Sequence, residues 1–353
     1  MQRRTPSTSW ASLFVGVVWG IAVTPLRADD AASVISEQPA SPAQENGRVD
    51  RDQANEKEPA MGETALSKVV WQRLSPGHVW GDIYYFQGYR IQEHGLDGTC
   101  RLLDPTRKRL VAGSLEDCHA TMSAIRAERG LKPMTGEIVL LLHGIVRTAR
   151  SLSSLDKHLT GAGFTVASVD YPSTCNTIPE CAGYLRRLIA SLEGVDRIHL
   201  AVHSMGGLVV RSYFAGEADP RISRLVMIGT PNQGAELATR FRGLTAFRWV
   251  FGPAGSQLAR GPEEFVNDLP IPPIEFGIVA GARGKPYGFN PLVEGDDDGT
   301  VSVDSTRLAG ARDFLTVNSM HAFLPGAPDT VVAVERFFRD GAFREEGARE
   351  PID

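Results

Sequence analysis

Two patterns of apolar and polar positions divide the chain. From residue 137 onward, short apolar runs alternate with segments of helical spacing. The run IVLLL at 138–142 is continuously apolar, as expected of a strand covered on both faces. Positions 151–160 have helical spacing and 165–169 reads as a strand. Over 178–192, Tyr184, Leu185, Leu188, Ile189 and Leu192 fall on one side of a helix. Strand 198–202, helix 206–215, strands 225–228, 274–280 and 314–317, and a closing helix over 330–338 continue the series. Repeated strand–helix units predict a mostly parallel sheet with helices on both faces. Ligands of such sheets lie beyond the carboxyl ends of the strands.

Before residue 137 the pattern differs. Alternation at 88–94, 99–104 and 109–114 predicts short antiparallel strands, with the turn DPTR at 104–107. Ser114, followed three residues on by Asp117, marks the start of a helix through about Arg129. Residues 69–133 thus read as a small β-hairpin-plus-helix module, with no activity visible in its residues. It packs on the edge of the following sheet or binds a partner. Residues 29–68 contain no aromatic side chain and are rich in Ala, Glu, Asp, Gln and Pro. They read as a linker, too polar to offset the entropy of ordering. Residues 1–28 read as a signal peptide: Arg3 and Arg4 precede the apolar run WASLFVGVVWGIAV, then Pro25 and a candidate cleavage after Ala28. The expectation is an exported protein, periplasmic or secreted, with an uncleaved anchor as the other reading. Residues 341–353 read as a tail.

Composition narrows the classes. Of 353 residues, 42% are hydrophobic and 22% charged, enough for a globular core. Lys and Arg number 37 against 42 acids, a net charge of −5, so nucleic-acid binding is not expected. Four cysteines do not make a disulfide scaffold, although export permits pairing. Cys100 with Cys118 and Cys175 with Cys181 is one of three connectivities.

Chemistry is sought at the strand ends. The strand at 198–202 runs into HSMGG at 203–207, and a helix follows at once. A serine in such a turn has its hydroxyl exposed near the positive end of the helix. Ser204 is therefore the candidate nucleophile. The usual pattern has Gly two residues before the serine, where this chain has Val202. Ser204 needs a base. Where a triad runs in the order serine, acid, histidine, the base follows the serine; of the eight histidines (78, 94, 119, 143, 158, 199, 203 and 321), only His321 does so, in the loop after strand 314–317. His203 adjoins the serine, and a packing role is expected for it. A carboxylate must fix the tautomer of the base. Asp298 heads a DGTV turn, with Asp296 and Asp297 as close rivals. A solvated acidic loop or a Ca²⁺ site is the other reading of that cluster. The amides of Ile145, after the strand-end His143-Gly144, and of Met205 are candidate oxyanion donors. Gly144 is expected to let the chain turn sharply there.

These residues carry a resemblance over residues 137–338. LLHGI (141–145), VDYPST (169–174), HSMGGLVVR (203–211), IGTPNQGAELA (228–238), DGTVSVDST (298–306) and His321 resemble the lipase/esterase branch of the α/β-hydrolases. The resemblance implies an α/β-hydrolase fold over 137–340, with Ser204 as nucleophile, His321 as base and Asp298 as acid. It also implies the Ile145 and Met205 amides as oxyanion hole. The implied reaction is hydrolysis of a small-molecule or lipid ester through an acyl-enzyme, with no cofactor and no metal. Phospholipase, thioesterase, polyester hydrolase and acyltransferase chemistry use the same triad. A non-catalytic binding protein on the same fold is the remaining class. Residues 241–273 are long for a connection and read as a cap. Their cluster of Phe241, Leu244, Phe247, Trp249, Val250 and Phe251 either lines an acyl pocket and meets lipid surfaces or packs on the core.

Overall fold

A computed structural model describes residues 78–353. The expected signal peptide, the linker and the first residues of the N-terminal module lie outside the described residues.

The apolar runs form a six-stranded sheet. Its strands are β5 (Glu137–Leu142), β6 (Thr165–Val169), β7 (Arg197–His203), β8 (Ile222–Ile228), β9 (Glu275–Ala282) and β10 (Asp313–Asn318). The order across the sheet is β10-β9-β8-β7-β5-β6, and every pairing is parallel. Period-2 geometry sorts each run between two cores. Ile138, Leu140 and Leu142 face one side with Leu200, Val202, Leu225 and Ile278. Val139 and Leu141 face the other with Ala201, Val226, Ile228 and Val279. Helices α3 (Ile178–Ala190) and α4 (Met205–Phe214) cover the first side, and α2 (Ser153–Gly161) and α8 (Pro328–Asp340) the second. Each fully buried aliphatic side chain contributes about 1.5–3 kcal/mol. The chain runs from β5 to β6 in one direction, then crosses back to β7 on the far side of β5. The reversal opens a crevice at the carboxyl ends of β5 and β7. Gly144 and Ser204 follow those two ends.

The N-terminal module is an antiparallel meander of four strands: β1 (Trp80–Phe86), β2 (Tyr89–His94), β3 (Cys100–Leu103) and β4 (Arg109–Gly113). Helix α1 (Leu115–Arg129) follows, with the Ser114–Asp117 capping box the sequence predicts. The sequence pattern does not reveal β1. A register shift between Asp82 and Tyr84 breaks its alternation, and Asp82 is wholly buried. The module docks through β1: the Asp82 amide donates to Asp170 O (2.8 Å) at the end of β6, and the Tyr85 amide to Ser191 Oγ (3.1 Å) after α3.

No disulfide joins Cys100 to Cys118 or Cys175 to Cys181 in this structure. The thiols of Cys175 and Cys181 both point at Pro172 O, at 3.8 and 3.9 Å. The expected tail is packed. Phe343 is buried against Phe337, and Arg344 reaches Asp313 Oδ1 at 2.6 Å. No helix among the described residues is long and apolar enough to cross a membrane.

Candidate active site

Ser204 occupies the turn between β7 and α4 with φ 54° and ψ −126°. A non-glycine residue there costs of order 1–3 kcal/mol and persists only where its surroundings hold it. The Ser204 amide donates to Ile228 O (2.9 Å) and its carbonyl accepts from the Gly207 amide (3.0 Å). Its side chain makes no cap bond to the helix, so Oγ is left for other chemistry. The turn is tight on both sides. A Cβ on Gly206 would lie 2.9 Å from His143 O, and one on Gly144 would lie 2.9 Å from Ser204 Cβ. Close approach is thus what Gly144 supplies. The left-handed residue of that loop is Val146 (φ 55°). Val202 is accommodated as a buried residue of β7.

His321 lies between Ser204 and Asp298. Its Nε2 is 3.0 Å from Ser204 Oγ, and its Nδ1 is 2.6 Å from Asp298 Oδ2. The His321 amide donates to Asp298 O (2.8 Å). Asp298 Oδ1 accepts from the amides of Thr300 (3.0 Å) and Val301 (2.8 Å). All three side chains are buried. The rival carboxylates are engaged elsewhere: Asp296 receives the amides of Arg283 and Gly284, and Asp297 those of Phe289, Asn290 and Gly299. Neither the Ile145 nor the Met205 amide is taken up by a hydrogen bond among the described residues. Met205 opens α4, where N–H groups have no partner within the helix.

His203 does more than pack. Its Nε2 meets His321 O at 3.1 Å, so Nε2 carries the proton and donates. Burial, with His321 and Arg147 nearby, holds its pKa well below the usual value. Its neutral ring fixes the backbone that carries the candidate base.

A buried network ties the N-terminal module to the Gly144 loop, and no sequence spacing announces it. Asp82 accepts from Arg90 Nη1 (2.8 Å), Gln92 Nε2 (2.8 Å) and the Asp170 amide (2.9 Å). Asp170 in turn accepts from Arg107 Nη1 (2.6 Å) and the Ala149 amide (2.7 Å). The module thereby holds the segment that follows Ile145. Replacing Asp82 with Ala would leave Arg90 buried without its carboxylate, with Ser168 O as its remaining acceptor. The expected loss is about 3–5 kcal/mol of stability, read from urea unfolding. A loss below about 1 kcal/mol would show that the network does not fasten the module.

Tyr171 stacks on His143, with ring centroids 4.3 Å apart, and its hydroxyl donates to His143 O. Burial pushes the His143 imidazole down to about 4. The unfolded chain takes up this proton near the usual histidine value of about 6.5, while the folded chain stays neutral. Stability from this group is therefore full above about pH 6.5 and is lost as pH falls toward 4, by about 3 kcal/mol. The steeper acid slope of wild type relative to His143→Gln, in urea unfolding between pH 7 and 4, measures it. Equal slopes would count against a neutral, buried His143.

Gly144, Ile145, Arg147, His203, Ser204, Phe251 and His321 line the pocket over the serine, whose cavity is about 10 Å³, or room for about one water. Phe251 belongs to α6 (Thr245–Gln257), which breaks at Gly252 and Pro253. The apolar cluster expected over 241–251 divides: Phe247 and Phe251 are buried, whereas Leu244 and Trp249 are exposed. The sequence alone marks neither Arg147 nor Asp82, and it carries Asp170 and Tyr171 only within the VDYPST motif. Among the described residues, no group of histidine, cysteine or acidic side chains is arranged to hold a metal.

A parallel sheet with its crevice at the reversal, and a strained serine at the strand-to-helix turn within it, is the α/β-hydrolase fold. No protein-family model matches the sequence, and no curated protein does. Several solved structures are similar. The lipase BlEst2 of Bacillus licheniformis in its propeptide form is 18% identical, with 63% of this chain and 54% of that chain covered and a TM-score of 0.47. The metagenomic carboxyl esterase MGS0156 is 19% identical over 54% of this chain and 66% of its own, at 0.40. Phospholipase PlaB from Legionella pneumophila is 18% identical over 48% and 45%, at 0.36. The chain thus spans about half the length of the BlEst2 propeptide form.

Proposed function

We propose that the protein is a serine hydrolase that cleaves carboxylic esters through an acyl-enzyme. The observation that carries this is His321, bonded at once to Ser204 Oγ and Asp298 Oδ2. In the first step Ser204 Oγ bonds to the ester carbonyl carbon while His321 Nε2 takes the hydroxyl proton. The carbonyl oxygen becomes an oxyanion and is received by the amides of Ile145 and Met205. Collapse of the tetrahedral species breaks the ester C–O bond, and His321 returns the proton to the departing alkoxide. Water then attacks the acyl-serine, gives its proton to His321, and releases the acid as Ser204 recovers its proton. Asp298 holds His321 with Nδ1 protonated and stabilises the imidazolium.

Residues 241–273 act as a cap in this reading. Phe251 lines the small pocket that also holds Ser204, so in this reading an acyl group enters by displacing it. Small-molecule or lipid esters are the substrates, and the enzyme works outside the cytoplasm, in keeping with the N-terminal apolar run. The test is labelling with a fluorescent alkyl phosphonate. Wild type is expected to take up one phosphonate, located at Ser204 by peptide mass, and Ser204→Ala none. Labelling elsewhere, or equal labelling of both proteins, would overturn the assignment of the nucleophile.

A further inference from the structure

Arg147 lies two residues past Ile145 and lines the same pocket as Ser204 and His321. It is half-buried, and burial lowers its pKa. A guanidinium withdrawn from water ordinarily has a carboxylate or several carbonyls to meet it. The neighbouring arginines follow that rule: Arg90 lies on Asp82, Arg107 on Asp170, and Arg211 on the carbonyls of Asn232, Leu269 and Pro270. Arg147 does not. Among the described residues its side chain meets neither a carboxylate at ion-pair distance nor a hydrogen-bond acceptor.

The groups around it do not balance its charge. Three histidines, His78, His143 and His203, lie within electrostatic reach of Arg147, and burial holds all three below the usual histidine value. His203 Nδ1 is buried, has no partner, and belongs to a ring that lines the pocket. The two unengaged amides and the start of α4 add further positive potential. The pocket over the serine therefore holds one half-buried positive charge with no carboxylate at ion-pair distance among the described residues, in a chain whose net charge is −5.

We propose that Arg147 receives an anionic oxygen group of the substrate, so that the esters turned over at Ser204 are those bearing a carboxylate or phosphate near the scissile bond. This rests on the ester-hydrolase reading above. The planar fork of the guanidinium matches either anion with two parallel N–H donors. The anion completes a pairing that the fold leaves open, so binding energy is gained without displacing a protein partner.

The test compares matched esters. On the acyl side, mono-4-nitrophenyl adipate is set against 4-nitrophenyl hexanoate. On the alcohol side, 1-butyryl-glycerol 3-phosphate is set against 1-butyrylglycerol. Wild type is expected to favour the anionic member of at least one pair by 10-fold or more in kcat/KM, mainly through KM. The favoured pair shows whether the charge lies on the acid or the alcohol. Arg147→Gln is expected to abolish the preference, and Arg147→Lys to keep part of it with a weaker KM. Ser204-dependent hydrolysis with no anionic preference in either pair overturns the inference and leaves the hydrolase reading intact. So does a preference that survives in both Arg147 variants. Absence of Ser204-dependent hydrolysis of all four esters overturns the hydrolase reading itself. A wild-type ratio near one overturns the inference even if a variant fails to fold, and Arg147→Lys and Arg147→Gln are two independent chances to trace a preference to Arg147.

Discussion

His321→Ala is expected to lower kcat on a 4-nitrophenyl ester by about 10⁵- to 10⁶-fold, the scale seen when a histidine base is removed from a serine triad. Ser204 Oγ has its base at 3.0 Å, and removal of the imidazole leaves no other side chain in the described pocket able to take the proton at neutral pH. His203 does not replace it. Its Nε2 proton is committed to a carbonyl, and burial disfavours a second proton on the ring. The residual rate should reflect the two amides and substrate binding alone. Folding is separable from this loss, because Asp298 keeps the Thr300 and Val301 amides without His321. Near-UV circular dichroism of the variant should match wild type. A variant that is folded and retains more than about one hundredth of wild-type kcat would mean that His321 is not the base.

Asp298→Asn is expected to cost about 10⁴-fold in kcat, through the tautomer of His321. The direction follows from the geometry. Oδ1 of Asp298 is fixed by two amide donors, at 3.0 and 2.8 Å. An Asn side chain must keep its carbonyl oxygen on that side, because its NH₂ cannot face two N–H groups. The NH₂ therefore falls where Oδ2 now lies, 2.6 Å from His321 Nδ1. Nδ1 then has to accept, the ring proton moves to Nε2, and Ser204 loses its proton acceptor. The KM should change little, since Asp298 does not line the pocket. Stopped-flow and steady-state rates with the same ester separate the two constants. A loss under about tenfold would place the acid elsewhere. Asp296 and Asp297, both engaged by backbone amides, are poor replacements.

Much of this was legible in the chain. Continuous apolar runs such as 138–142 announced strands buried on both faces, because each face meets a separate core. The strand-end positions of Ser204 and His321 were legible because strand ends are where such sheets place their chemistry, and a serine–acid–histidine order leaves one histidine; their catalytic roles belong to the proposal. Asp298 was legible only as one of three, since nothing in the sequence says which carboxylate faces inward. β1 was hidden by its bulge and by Asp82, a charge in a wholly buried position. The Asp82–Asp170 bond joins residues 88 apart, and pairings of that range leave no periodic trace. Nothing in the sequence marks Arg147, because its isolation is a property of what surrounds it. His203 appeared to be packing because the sequence does not show that its ring reaches the His321 carbonyl. Phe251 was found among apolar neighbours, but only the fold distinguishes it, buried and lining the pocket with Ser204, from exposed Trp249.

In the proposed mechanism Ser204 forms an acyl-enzyme with carboxylic esters. Hydrolysis of a 4-nitrophenyl ester series, from acetate to palmitate, by wild type and by Ser204→Ala tests it most directly. Wild type is expected to turn over at least part of the series, and Ser204→Ala to fall to the uncatalysed rate throughout. The chain length of the optimum would then report how far Phe251 yields to the acyl group. Equal rates from the two proteins, or none from either on any ester of the series, would contradict the account.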